Sequence, residues 1–184
     1  MKRTIATPLL FLFLIAGGAS ASAHEFVAST TGKTTIKVLR STVFTSAAGT
    51  SECAGASLLA GEVTTTKSAT ITSTIKFENC KAFGLLATVS PVNVRSTAEG
   101  GVSLLKTVTV KVTACQVTFP SAKNQNLFTI KYKNTNKQIE KVAELKHVDS
   151  SGTGAACTYA EESNGTLSGD ALVGLIGGGT LEWK

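Results

Sequence analysis

The chain holds two histidines, His24 and His147. Imidazole is a good copper ligand. If a leader is removed after Ala23, His24 becomes the first residue. Its amine and ring then chelate a metal, and His147 completes a three-nitrogen clamp. A secreted copper-binding protein or copper enzyme is therefore one expectation. The opposing reading is plainer: some residue must follow a cleavage site, and His147 is a polar residue near a strand end. Co-ligation requires rings within about 10 Å, because imidazole–metal bonds are about 2 Å long.

Sulfur offers a second chemistry. Cys53, Cys80, Cys115 and Cys157 are separated by 26, 34 and 41 residues, with no C-x-x-C pair. Zinc-ribbon and thioredoxin-type spacing is absent. An even count in an exported chain reads as two disulfides, and the residues alone leave three pairings open.

Other candidates are weaker. Thr30-Thr31-Gly32-Lys33-Thr34 ends like a phosphate loop, but Val27 stands where the motif needs glycine, and Thr34–Val38 is β-branched rather than helical. No G-x-S-x-G occurs. Glu161 and Glu162, as neighbours on a strand, face opposite ways and cannot pair as acid and base. Lys123, Lys131, Lys133 and Lys137 lie among asparagines and form a basic, amide-rich edge. It suits wall polysaccharide or teichoic-type phosphate, though edge lysines also discourage sheet aggregation. Asn164-Gly165-Thr166 matches a glycosylation sequon, but a turn explains it. No catalytic set and no cofactor emerge, so a non-enzyme is expected.

The elements that must carry these residues begin after a leader. Lys2 and Arg3, the apolar run Leu9–Ala16 and Ala21-Ser22-Ala23 read as a signal peptide over 1–23, too short in its apolar part to span a bilayer. His24–Lys184 is then one secreted domain, long enough to own a core. Without Lys2 and Arg3, 16 basic residues face 12 acidic ones, a net +4. Arginine is scarce and aromatics few, so nucleic acid is a poor partner. No membrane span is expected in the mature chain.

Val102–Phe119 sets the pattern. Val108, Val110, Val112 and Ala114 share one parity and Thr107, Thr109, Lys111 and Thr113 the other, the period of a half-buried strand. The parity then flips to Cys115, Val117 and Phe119, which requires a bulge or sharp bend. Thr34–Phe44, Glu62–Phe77, Leu85–Arg95, Leu127–Lys133, Ala156–Glu162, Thr166–Ile176 and Thr180–Lys184 read as further strands. Asn79–Gly84, Ala98–Gly101 and Asn134–Lys137 read as turns, with Asn164-Gly165 the strongest hairpin signal. Gln138–Lys146 fits a helix or a strand, and its flanking turns favour the strand. The expected fold is all-β: one antiparallel β-sandwich or flattened barrel of about 9–11 strands with two disulfides.

The leader ending ASAHEF, then ENCKAFG–LLATVSPV, ACQVTFP–NLFTIKYKN and a Gly-rich last strand resemble a large, uncharacterised family of small exported bacterial proteins of actinobacterial type. The resemblance covers nearly the whole mature chain and implies an all-β fold without assigned activity. Such proteins often carry two more cysteines, near Val92–Val94 and Leu104–Lys106. Their joint absence implies one lost bridge and the pairs Cys53–Cys80 and Cys115–Cys157, with Cys80–Cys115 the rival.

The function expected is a non-enzymatic extracellular or surface-associated binding or structural protein, with cell-wall polymers or extracellular polysaccharide as candidate partners. The copper clamp is the alternative. A third possibility, a small-ligand carrier, requires an apolar cavity in place of a packed core.

Overall fold

The computed structural model describes residues 23–46, 49–121, 129–155, 157 and 161–184. The leader before Ala23, Lys123, Phe128 and most of the Ala156–Glu162 strand lie outside them. Among the described residues every regular element is a strand. Ten have five residues or more: β2 (Gly32–Ser46), β3 (Gly49–Val63), β5 (Thr70–Ala82), β6 (Leu85–Val89), β7 (Val92–Thr97), β9 (Val108–Val112), β10 (Cys115–Phe119), β11 (Thr129–Thr135), β12 (Gln138–Thr153) and β13 (Glu161–Leu175). Four are shorter: β1 (Phe26–Ala28), β4 (Lys67–Ser68), β8 (Val102–Leu104) and β14 (Leu181–Trp183).

The pairings close into a ring. Strands β6 and β7 hold one register against β5, with Cys80 opposite Ala87 and Ile75 opposite Val92, so they are one strand broken at Ser90-Pro91. Proline lacks the amide proton a ladder needs there. In the same way β8 and β9 follow β7 and β6, and β10 and β11 both pair with β12. The order is then β2, β3, β5, β6/β7, β8/β9, β10/β11, β12, β13 and back to β2, antiparallel throughout. Of the two expected architectures the protein adopts the barrel, an eight-strand up-and-down one.

Local chemistry sets the corners. Phe83-Gly84 and Asn136-Lys137 have positive φ at both central residues, the mirror-image turn that matches strand twist. Ala114, at φ 58°, turns the chain between β9 and β10, which is how the valine parity flips to Cys115. Gln138–Lys146 is strand. Asn164-Gly165 is not a turn: β13 runs through it. Gly165 is buried, and a β-carbon there would stand 2.6 Å from Cε2 of Phe44, so glycine serves close packing.

The two ends differ. At one end Phe44, Val117, Phe119 and Val148 pack together, and Cys53–Cys80 and Cys115–Cys157 are bonded as the resemblance implies. Two disulfides fit an oxidising, extracellular environment. At the other end β14, β1 and β4 form a separate small sheet. Phe26, Ala28 and Leu181 are buried with Ile139, Val173 and Leu175, so this sheet caps the barrel. Removing the second bridge with C115A/C157A is expected to cost about 2–4 kcal/mol in urea unfolding, because it ties the β9–β10 corner to the loop after β12.

Candidate functional site

The interior is not fully packed. An eight-strand ring is just wide enough for large side chains to fill it or for one small ligand to enter. Here Ile36, Val38, Ile75, Val94 and Val110 point inward, but so do Ala56, Ser73, Ala87, Ala143, Gly169 and Ala171. These small groups leave a cavity of about 240 Å³. Larger side chains at these positions would bury more apolar surface and add packing contacts, so leaving the space unfilled costs stability. The outer face carries exposed Lys37, Thr72, Lys76, Lys111 and Lys133. Apolar inside and polar outside is the reverse of a bilayer-spanning barrel. Among the described residues no helix is long and apolar enough to cross a membrane.

One lysine belongs to this interior. Lys141 follows Ile139 and precedes Ala143 on the inward parity of β12, and it lines the cavity. Protein surrounds it, yet it keeps some accessible surface, which faces the void. Its Nζ donates to Ser96 Oγ at 3.3 Å and lies 5.9 Å from the Phe26 ring centre and 5.8 Å from that of Tyr132. Among the described residues no carboxylate is within ion-pair distance of it. Asp170 is engaged by Arg40 at 3.1 Å. Burial pushes the Lys141 ammonium down to about 8. Burial also pushes the Tyr132 hydroxyl up to about 12, against an opposing hydrogen bond with Ser96. That hydroxyl donates to the Thr97 carbonyl at 2.8 Å.

The cap closes over this group. Phe26 meets Tyr132 edge-on at 5.2 Å. Trp183 Nε1 donates to the Ala98 carbonyl at 2.7 Å, and Asn134 exchanges two hydrogen bonds with the Trp183 backbone. Glu25 and Lys184 exchange backbone bonds, which extends the pairing of β1 with β14.

One seam of the wall is irregular. Strands β2 and β3 pair at Gly32–Lys33 with Glu62–Val63 and at Thr42–Ser46 with Gly49–Cys53, but residues 34–41 and 54–61 form no ladder with each other. Ile36 and Val38 on one side, and Ala56 and Leu58 on the other, reach the cavity behind this stretch. Leu39 and Leu59 stand exposed beside it.

The expected site residues are dispersed. His24 stacks on Trp183 at 4.4 Å between ring centres, and its backbone N–H donates to Glu99 Oε1 at 2.9 Å. The backbone of His147 lies near the disulfide end of β12, eight residues beyond Ile139; its side chain lies outside the described residues. At about 3.3 Å per residue, the strand separates His147 from the capped end by on the order of 25 Å of backbone. Among the described residues no group of three or more His, Cys, Asp and Glu is placed to hold a metal ion. Glu161 and Glu162 lie opposite Ser151 and Ser150 on β12. Lys131 and Lys133 are exposed on β11, and on the side away from β12 the Ile130 N–H donates to the Gly100 carbonyl.

Lys141 is the residue that the sequence reading passed over. Its signal was parity: a lysine flanked at two-residue spacing by Ile139 and Ala143. Comparison of the chain with protein-family models, with curated proteins and with solved structures finds no match in any of the three.

Proposed function

We propose that this chain is an exported, non-enzymatic carrier of a small apolar ligand held inside the barrel. The observation that carries this is the cavity itself, an apolar space of about 240 Å³ behind a wall whose outer face is polar. A purely structural barrel gains stability by filling such a space, and selection for rigidity alone would favour larger side chains at Ala143 or Ala171. We place entry at the seam between β2 and β3, where the strands lie side by side but no hydrogen-bonded ladder has to be broken over residues 34–41 and 54–61. Export rests on the leader-like residues before His24 and agrees with the two disulfides. Cleavage after Ala23 turns the His24 nitrogen into an ammonium facing Glu99, which strengthens the hold of the cap.

The reading is tested by thermal unfolding of the processed, oxidised protein with 1-octanol. Ligand that binds only the folded state raises the midpoint, by about 2.7 kcal/mol equivalent at a hundred times its Kd. Ala143→Leu is expected to raise the ligand-free midpoint and abolish the octanol response. No response of the wild-type protein to octanol up to its solubility overturns the carrier reading.

A further inference from the structure

We propose that the ligand is an apolar monocarboxylate, its tail along the aliphatic wall and its carboxylate against Lys141 Nζ and Ser96 Oγ beneath the cap. This rests on the carrier reading and adds the head group to it. The argument starts from an unbalanced charge. An ammonium has three donors, and of these Ser96 Oγ takes one at 3.3 Å. The Phe26 and Tyr132 rings, at 5.9 Å and 5.8 Å, offer only their faces. A buried charge is ordinarily paired, because its loss of water must be made good. Among the described residues no carboxylate does this for Lys141, and Asp170 is held by Arg40.

A ligand that brings the opposite charge completes the site. A carboxylate accepts a charge-assisted bond from Nζ, and the Ser96 hydroxyl can rotate to donate to its second oxygen. Tyr132 offers the carboxylate no donor, since its proton goes to the Thr97 carbonyl, and the Ser96 hydroxyl exchanges Tyr132 for the ligand when it turns. An amine would place like charges together, and an alcohol would leave the ammonium uncompensated. Size follows from the void. A cavity of about 150 Å³ holds benzene. Scaled to about 240 Å³, this one holds a ligand of about ten non-hydrogen atoms. Octanoate has that size.

Isothermal titration of the processed, oxidised protein at pH 7 with octanoate, 1-octanol and octylamine tests this. Octanoate is expected to bind about 10- to 100-fold tighter than octanol, the range of a hydrogen-bonded charge, and octylamine to bind weakest. In Lys141→Met octanoate should lose that advantage while octanol binding persists. Ser96→Ala should weaken octanoate several-fold and leave octanol unchanged. Equal affinity of the wild-type protein for octanoate and octanol overturns the head-group assignment and leaves the carrier reading standing. An octanoate preference that survives in Lys141→Met also overturns it. Binding of none of the three probes overturns both readings. The wild-type series decides on its own if the variant does not fold.

Discussion

Lys141→Met is expected to make the ligand-free protein more stable by about 3 kcal/mol at pH 7, although it removes a hydrogen bond. The ammonium sits inside the barrel with Ser96 and two aromatic faces as its partners. A fall in its pKa from 10.5 to about 8 corresponds to about 3 kcal/mol of penalty on the charged form. Methionine keeps an unbranched chain, one atom shorter, and drops the charge. The Ser96 hydroxyl retains a partner in Tyr132.

The same penalty gives the wild-type protein a distinctive pH profile. Below about pH 8 the folded and unfolded chains both carry the proton and the whole cost is present. Between about 8 and 10.5 the unfolded chain still holds a proton that the folded protein has shed, so stability rises with pH. Tyr132 acts in the opposite sense above pH 10, because its folded pKa of about 12 makes the unfolded chain ionise first. The other groups packed around Lys141, Ser96 and Phe26, do not titrate, and Asp170 stays paired with Arg40. Urea midpoints should therefore climb from pH 8 to pH 10 in the wild-type protein and stay flat over that window in Lys141→Met. A flat wild-type profile would show that the lysine reaches solvent.

Much of this wall could be read from period two. Val108 and Val110, then Cys115, Val117 and Phe119, are buried as their alternation requires, and the reversal between them is the Ala114 corner. Local rules of this kind work because a hairpin and its parity are decided within a few residues. They misread Asn164-Gly165. There the flexibility of glycine was not needed, and its lack of a side chain beside Phe44 was. Closure of the ring was not readable either. It depends on β13 meeting β2, segments more than a hundred residues apart whose edges carry no signal of the partner. The cavity is less visible still. Ala56, Ala87, Ala143 and Ala171 are unremarkable singly, and only their convergence inside one ring makes a space. Lys141 was hidden for a different reason. A lysine in QIEKVAELK reads as solvent-facing by type, whereas Ile139 and Ala143 set an inward parity at its position.

Phe26→Ala is expected to cost about 3–5 kcal/mol, the range for deleting a buried aromatic ring, and to spend most of that on the cap. Phe26 is 2 % exposed, meets Tyr132 edge-on at 5.2 Å and covers Lys141. Its strand, β1, has three residues and is held by β14 on one side and β4 on the other, so without the ring the small sheet is left to Leu181 and the hydrogen bonds of Trp183. The disulfides lie at the far end and do not restrain it. Loss of the ring should therefore open the cap while the eight-strand wall persists. Hydrogen exchange should accelerate at Ala28, Ser29, Leu181 and Lys184, whose amides hold the cap to its neighbours, before it does at Val110 or Val117. Octanoate should dissociate faster from this variant, since water then reaches the Lys141 pair that the cap keeps dry. Uniform acceleration across cap and wall alike would mean that the small sheet is an integral part of the barrel rather than its door.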